Sequence, residues 1–413
     1  MTARRDHRVG FRDVLGRPGY PRLWTARTVS QGGDVFATVA LILLVFDLTG
    51  SALGVSAVVL AEIVPVLLLA PFAGTLVDRL APARVMIAAD VLRAVLAASL
   101  VVLGDTVVGV YLVAFGLSAG AVFFNTAASS ALPVLVGDDE LIAANSGIWT
   151  AAVLAQIALA PLAGVLYAGL GAGAAFGVNA ASFLISAAVL TGLSLPAPPA
   201  ATGRRGPRGV VGAAVAGLRL LVDDRLLRRL AAGQLLAALS AGATSALLVV
   251  LAGDHLQLAP SGYGLLLAAI GVGAVLGPVV LVRLVSDPRR PAFVFGPYAL
   301  RGLVDVVLAT VTSLPVVLIA LAVYGLSTST GAVTFNSLLQ SHVAPGTRGR
   351  VFAGFDLVWQ LGRLVSLLGG GLLAAAAGIQ AVYYLGGALL LLAAATGWRA
   401  QPPNSGAVRT MML

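Results

Sequence analysis

Gly120-Ala-Val-Phe-Phe-Asn125 recurs as Gly331-Ala-Val-Thr-Phe-Asn336, so that five of six residues are repeated 211 positions further along the chain. Both copies lie in long apolar stretches. A weaker match pairs Gly147 with Gly354 at an offset of 207 residues. Self-similarity at such a fixed distance indicates a duplicated unit. We therefore expect two structurally similar halves, one after the other.

The composition of the 413 residues is that of a membrane protein. Hydrophobic residues make up 59% of the chain and charged residues only 10%, and the mean hydropathy is +0.98. A soluble globular chain carries about 25% charged residues. An ordinary soluble enzyme, a disordered chain and a nucleic-acid-binding protein are therefore excluded. We expect the lipid bilayer to surround most of the chain.

Apolar stretches long enough to cross a bilayer, about 20 residues each, occur twelve times. We number them spans 1 to 12: Leu23–Phe46, Ala52–Val77, Val85–Leu103, Val107–Leu132, Leu141–Ala168, Ala172–Leu195, Leu226–Gly253, Tyr263–Val285, Ala292–Thr312, Leu314–His342, Val351–Ala376 and Ala381–Trp398. The predicted fold is an all-α integral membrane protein with twelve transmembrane helices in two six-helix pseudo-symmetric halves. The predicted divisions are an N-terminal arm (1–22), an N-terminal half (23–195), a linker (196–225), a C-terminal half (226–398) and a tail (399–413).

The distribution of arginine orients the spans. The short loops after odd-numbered spans contain Asp47, Asp105 and Asp254 but no arginine, whereas the arm, the other loops and the tail hold most of it. Basic residues stay on the cytoplasmic side, so both termini, the arm, the linker and the tail are predicted to be cytoplasmic. All 26 basic residues are arginine, which with abundant alanine and glycine suggests a GC-rich bacterial genome. We expect a multi-pass protein of the bacterial plasma membrane without a cleaved signal sequence.

The most specific local pattern lies between spans 2 and 3. Gly74, Asp78, Arg79 and Arg84 stand in the order Gly-x-x-x-Asp-Arg-x-x-x-x-Arg, which resembles the loop motif of the major facilitator superfamily. In that family the motif latches the two halves together in one conformation. The resemblance implies that these four residues form a conformational latch, with the acid near a helix N-terminus. The alternative is a simple loop cap with cytoplasmic positive charge.

Further short sequence segments resemble the drug:proton antiporter branch of that superfamily, which includes macrolide and siderophore exporters. They are Ser30–Asp34, Leu48–Ser51, Ala89–Ala94 and Arg348–Val351. The resemblance implies a secondary active transporter that exports amphipathic small molecules by proton-coupled alternating access and works as a monomer. Ala160–Gly164 is similar to the Gly-Pro-x-x-Gly antiporter motif but has alanine in place of its first glycine, and span 4 lacks the arginine motif of many proton-coupled members.

Placing a charged group inside a membrane costs free energy, so such residues are functional candidates by default. Asp34 and Glu62 both fall near the midplane, on neighbouring antiparallel spans, where their carboxylates could share a cavity. We expect at least one of them to exchange a proton during transport, and Asp90 is the third candidate for proton coupling. The alternative is that each acid stays neutral and is hydrogen-bonded to the backbone.

Other polar and aromatic residues inside the spans are candidates for contact with substrate. They are Gln31, Arg93, Asn125, Gln156, Arg301, Asp305, Asn336, Asp356, Trp359 and Arg363. In span 3 an acid and an arginine are three residues apart, and in span 9 an arginine and an acid are four apart, which places each pair on one helix face. Each pair either neutralises itself or provides an arginine that tunes an acid or meets an anionic substrate. Asparagine in spans more often packs between helices.

The sequence offers little for catalysis. Cysteine is absent and the three histidines are scattered, so we expect neither a metal site nor a cofactor. Walker, zinc-protease and Gly-x-Ser-x-Gly motifs are missing, which argues against an enzyme or an ATP-driven pump. The expected partners are protons and a small hydrophobic or amphipathic substrate. The alternatives are a dedicated exporter of one metabolite, such as a siderophore or a self-made antibiotic, and, less favoured, a nutrient importer or a non-transporting membrane protein.

Overall fold

The structure, a computed structural model, describes residues 11–77, 80–104, 106–137, 140–193, 217–284, 292–343 and 347–398. These residues form helices and short connections, and no strand occurs among them. The predicted tail (399–413) and most of the predicted linker lie outside the described residues.

Every predicted span corresponds to helix. The bounds are Tyr20–Thr49, Ala52–Val77, Pro82–Leu103 and Val107–Leu135 for spans 1 to 4, Leu141–Thr191 for spans 5 and 6, Arg225–Ala246 with Leu248–Val250 and the π-helical turn Leu251–His255 for span 7, and Pro260–Leu284, Ala292–Thr310, Leu314–His342, Arg348–Ala377 and Ile379–Trp398 for spans 8 to 12. Spans 5 and 6 are separated at Gly171, whose φ of 78° and ψ of 177° are non-helical. Glycine can adopt this backbone without a Cβ clash. The all-α, twelve-helix prediction is confirmed.

Length and hydropathy agree with this count. Within the described ranges, nine helices are long and apolar enough to cross a membrane, and the bent pair Arg225–Ala246 and Leu248–His255 raises the number to ten. One of the nine, Ala143–Thr191, has 49 residues, about 74 Å of helix at 1.5 Å per residue, and therefore covers two spans. The helix of span 3, which carries Arg84, Asp90 and Arg93, completes the twelve.

The chain packs as two compact units. The first unit comprises Met1–Val210 and Ala246–Gly271, and the second comprises Val211–Ser245 and Val272–Leu413. The start of span 8 packs with the first unit because Gly264 lies against span 5, where a Cβ atom would be 2.7 Å from the Ala160 carbonyl oxygen. The predicted division into halves at 195 and 226 stays a prediction.

Each unit has its own apolar core, and the two cores use equivalent positions of the repeat. Leu23 of span 1 and Leu230 of span 7, which are 207 residues apart, are both fully buried. Around them pack Met86 and Phe124 in the first unit and Phe295 in the second. Burial of equivalent leucines supports the duplication that the sequence predicts.

A short helix precedes each set of spans. Phe11–Leu15 lies before span 1, and residues 217–223 are helical before span 7. We call them the first and second surface helices. Each buries one aliphatic side chain, Val14 in the first and Leu221 in the second, and these residues are also 207 positions apart.

The surface helices rest on the glycines of the weaker repeat match. The Phe11 ring occupies the space that a Cβ on Gly147 would need, and a Cβ on Gly354 would be 2.9 Å from the carbonyl carbon of Gly217. A larger residue at either glycine would collide with the helix above it. The match between Gly147 and Gly354 therefore has a physical basis, and the repeat includes the surface helix.

Candidate functional site

The central contact of the first unit joins spans 1 and 3. Arg93 Nη2 donates hydrogen bonds to both carboxylate oxygens of Asp34, at 2.7 and 2.8 Å, and Arg93 Nη1 donates to Ser30 Oγ at 3.3 Å. The Arg93 side chain is 4% exposed and that of Asp34 is 38% exposed. Span 1 thus presents a partly accessible acid to a buried guanidinium.

A second carboxylate faces the same guanidinium. Asp90 Oδ1 lies 3.6 Å from Arg93 Nη1, one turn earlier in span 3, and the Asp90 side chain is fully buried. Neither of its oxygens accepts a hydrogen bond of ordinary geometry within the described residues, although Ser186 neighbours it. We call Asp34, Asp90 and Arg93 the acid-rich cluster, because two carboxylates share one guanidinium.

Span 6 closes the acid-rich cluster on a third side. The ring of Phe183 lies 4.0 Å from Arg93 Cζ, a distance at which a cation is attracted to an aromatic face. One turn away, Asn179 is fully buried and neither its amide nitrogen nor its oxygen has a hydrogen-bond partner in the described parts. Span 6 therefore leaves polar atoms available close to the buried charges.

The second unit contains the counterpart on span 9. Arg301 Nη2 donates to the Tyr324 hydroxyl of span 10 at 2.9 Å, and the guanidinium carbon lies 4.7 Å from the centre of the same ring. Asp305 accepts a hydrogen bond from Ser240 of span 7 at 3.3 Å. Both charged residues are buried. No Arg301–Asp305 contact within 4 Å occurs among the described residues, so we call them the open pair.

Glu62 is the other acid that the sequence places near the midplane. It is half-buried, and its electrostatic neighbour in the first unit is Tyr263 at the start of span 8. Its backbone carbonyl accepts a hydrogen bond from Ser118 at 2.5 Å. The charged neighbours of Asp34 and Asp90 are Arg93 and each other. The structure thus joins Asp34 to span 3, while the cavity shared with Glu62 stays a prediction.

The remaining substrate candidates are less buried. Asn125, Gln156, Asn336 and Asp356 are exposed, whereas Gln31, Trp359 and Arg363 are half-buried. The Asn336 amide donates to the carbonyl of Ala332 in its own helix. Of the ten candidates, only Arg93, Arg301 and Asp305 are buried. Burial therefore distinguishes the two charge sites from the other polar positions.

Only part of the predicted latch is described. Gly74 lies in span 2, and a Cβ added to it would meet no described atom within 4 Å. Arg84 is exposed in the first turn of the span 3 helix. Asp78 and Arg79 lie outside the described residues. The conformational latch formed by Gly74, Asp78, Arg79 and Arg84 therefore stays a prediction.

Sequence reasoning did not identify four partners of the buried charges, namely Ser30, Phe183, Ser240 and Tyr324. Each is contributed by a different span from the charge it contacts. Their signal in the sequence is weak, because serine and phenylalanine are common in apolar helices. For Phe183 the polar residues at 179, 182 and 186 mark one face of span 6.

Two ion pairs lie at the ends of the spans and follow the surface helices. Arg17 binds Glu140 at 2.6 Å in the first unit, and His342 lies 3.1 Å from Asp224 in the second. The hydrogen bonds from Arg17 hold the pKa of Glu140 below its usual range. Asp224 also accepts a hydrogen bond from the backbone N–H of Leu227 and so caps the helix of span 7. Among the described residues, no three His, Asp or Glu side chains could hold a metal ion.

Comparison with solved structures shows the same fold at low sequence identity. A bacterial homologue of the iron transporter ferroportin, in an inward-facing state, matches with a TM-score of 0.71 at 17% identity, covering 92% of this chain and 97% of that one. The nucleoside transporter NupG matches with a TM-score of 0.72 at 12% identity, covering 93% and 100%. The human organic anion transporter MFSD10 matches with a TM-score of 0.64 at 16% identity, covering 92% and 100%.

No curated protein matches the sequence. The family model described as "Transmembrane secretion effector" (MFS_3) matches residues 15–411, which is nearly the whole chain. Fold, repeat and family model agree. The chain belongs to the transmembrane secretion effector family of the major facilitator transporters.

Proposed function

We propose that this membrane transporter exports amphipathic small molecules from the bacterial cytoplasm in exchange for protons. Its termini would lie in the cytoplasm, and the two predicted halves of a single monomer would alternate access to a midplane site. The observation that carries the proposal is the acid-rich cluster of the first unit, where Asp34 and Asp90 share Arg93.

The charge balance of this cluster suits a proton carrier. One guanidinium neutralises one carboxylate, so a second ionised carboxylate would leave a net negative charge in a buried site. An unpaired buried charge is costly, and Asp90 is fully buried without a hydrogen bond of ordinary geometry in the described residues. The cluster is therefore neutral when it holds one proton, and losing that proton changes its charge.

The two acids would have different parts in the cycle. Asp34 is the more accessible one, since its side chain is 38% exposed while that of Asp90 is buried. Protonation of Asp34 would weaken its two hydrogen bonds from Arg93, and the guanidinium could then pair with Asp90. Starting from the unprotonated cluster, Asp34 would take one proton from solution, Arg93 would turn from Asp34 to Asp90, and Asp90 would carry the remaining negative charge. Release of the proton from Asp34 would restore the pairing of Asp34 with Arg93.

The latch residues Gly74, Asp78, Arg79 and Arg84 would stabilise one of the two transport states. The family model supports secretion. The sequence segments that resemble drug:proton antiporters support export of many different compounds. Glu62 remains the second candidate for proton exchange. Export of a single metabolite uses the same cluster and differs only in the number of compounds carried.

The test uses purified protein in liposomes with a pH-sensitive dye inside and an imposed proton gradient. Macrolides, cationic and anionic dyes and catechol siderophores are added one at a time. We expect substrate-dependent proton flux in wild type and its loss in Asp34→Asn. The matched control is Asp223→Asn, which makes the same change at an exposed acid outside the spans and should keep full flux.

Unchanged flux in Asp34→Asn would remove Asp34 from coupling and direct the search to Glu62 or Asp90. Flux with one compound alone would favour the dedicated exporter. Substrate movement without any proton movement would contradict proton coupling and leave a transporter driven in another way.

A further inference from the structure

The two buried arginines differ in what balances their charge. Arg93 contacts two carboxylates, at 2.7 and 3.6 Å. Arg301 has no carboxylate within 4 Å in the described structure; its hydrogen bond goes to the Tyr324 hydroxyl, and Asp305 acts on it only as a more distant charge. Arg301 Nε is buried and has no partner there. In the described structure, therefore, no N–H group of the Arg301 guanidinium donates a hydrogen bond to a carboxylate.

The helical spacing of the open pair does not produce an ion pair, because its side chains turn to different neighbours. Asp305 accepts its hydrogen bond from Ser240 of span 7, and its Oδ2 would lie 3.1 Å from a Cβ on Gly386 of span 12. Arg301 instead reaches span 10 at Tyr324. Asp305 thus hydrogen-bonds to span 7 and the guanidinium to span 10, and the two groups act on each other only as charges more than 4 Å apart.

We propose that Arg301 and Tyr324 form a subsite for an anionic group of the substrate, such as a carboxylate. The proposal rests on the proposed function only in assuming that this chain carries a small molecule. It adds a chemical class, which is amphipathic molecules with one anionic group next to an aromatic or aliphatic body.

The chemistry of a guanidinium fits this ligand. Arginine presents its N–H donors in a planar fork that matches the two oxygens of a carboxylate, and such charge-assisted hydrogen bonds are stronger than neutral ones. Burial strengthens the attraction further, because the local dielectric is low. The ring of Tyr324, 4.7 Å from Arg301 Cζ, offers an apolar face to the body of the substrate. Arg93 cannot serve in this way while Asp34 and Asp90 contact it.

The experiment measures binding, which does not depend on the direction of transport or on protons. Purified protein in lipid nanodiscs is titrated with radiolabelled 2-naphthoate, with 2-naphthamide as a neutral competitor of nearly the same shape. We expect 2-naphthoate to bind at least about tenfold more tightly than the amide, the difference that a charge-assisted pair provides. Arg301→Gln should abolish this preference.

Three further variants separate charge, geometry and folding. Arg301→Lys keeps the charge but loses the planar fork, so binding of 2-naphthoate should weaken by severalfold. Tyr324→Phe frees the guanidinium and should keep or increase the preference for the anion. Arg283→Gln removes an exposed arginine from span 8 and should change nothing. If Arg301→Gln does not fold, as judged by size-exclusion chromatography, the lysine variant decides.

Equal binding of acid and amide by wild type would overturn the proposal, as would a preference that survives Arg301→Gln. Absence of measurable 2-naphthoate binding would overturn it as well. Failure of the proposed export looks different, because the anion preference would persist while wild type shows no substrate-driven proton flux. Asp34→Asn should likewise retain the anion preference.

Discussion

The acid-rich cluster of the first unit and the open pair of the second unit lie on repeat-equivalent helices, spans 3 and 9. In the first, Arg93 is held by two carboxylates, whereas in the second Arg301 contacts a tyrosine and Asp305 contacts a serine. Both units bury an arginine in an apolar helix, but they balance its charge in different ways. Duplication has thus kept the location of the charge and changed its partners.

The difference originates mainly in the neighbouring spans. Span 1 supplies Asp34, while span 7 supplies Ser240 next to span 9. The order of charges is also reversed, because Asp90 precedes Arg93 by three residues and Arg301 precedes Asp305 by four. We interpret the first arrangement as suited to a proton and the second as suited to an anionic ligand.

Removal of the arginines should give the largest effect and the clearest contrast. Arg93→Met leaves two carboxylates around a buried site without a positive partner, and breaking a buried ion pair in this way costs about 3–5 kcal/mol. Arg301→Met should cost less, since Asp305 keeps its hydrogen bond from Ser240. Thermal and denaturant unfolding in detergent measure both variants. Equal losses would show that the two sites are not balanced differently.

Neutralising the two acids of the cluster should separate their contributions to stability. Asp34→Asn weakens two short charge-assisted hydrogen bonds and should lower the free energy of unfolding by about 1.5–3 kcal/mol. Asp90→Asn removes a buried carboxylate that has no ordinary hydrogen bond among the described residues, so stability should change little or increase. The same unfolding assay applies. A greater loss in Asp90→Asn would mean that Asp90 is the principal partner of Arg93.

The surface helices allow the same comparison away from the charges. Gly354→Ala would place a Cβ 2.9 Å from the backbone of Gly217, and overpacking of this kind costs at least about 1 kcal/mol. Gly147→Ala should cost less, because it collides with the Phe11 side chain, which can move more easily than a backbone. Melting temperatures of the two variants test the order. The reverse order would indicate that the first surface helix is the more rigid one.

The smallest effect concerns pH at the end of the first unit. Arg17 lowers the pKa of Glu140, so this pair stabilises the fold above pH 4.5, the ordinary value for glutamate, and loses that contribution as pH falls through the lowered pKa. The melting temperature of wild type should therefore decrease more steeply in acid than that of Glu140→Gln. The exposed-acid variant Asp223→Asn serves as the control. Parallel curves for wild type and Glu140→Gln would show that the pair contributes nothing.

The sequence by itself determined the membrane class, the twelve helices and the duplication. These properties depend on local composition, because each span must be apolar over about 20 residues to cross the bilayer. It also identified the buried charges, since Arg93, Arg301 and the nearby acids stand out in apolar segments. The match between Gly147 and Gly354 also reflects the surface helices, because one of these helices packs on each glycine.

Only the tertiary structure decided which charges meet. Arg93 and Asp34 are 59 positions apart, and nothing in either span specifies the other as its partner. The spacing of Arg301 and Asp305 predicts neighbours on one helix face, yet each hydrogen-bonds to a residue of another span, Tyr324 and Ser240 respectively, rather than to the other. A long side chain can reach several hydrogen-bond partners, and its conformation depends on which partners the neighbouring helices place within reach. Those neighbours are known only once the helices are packed.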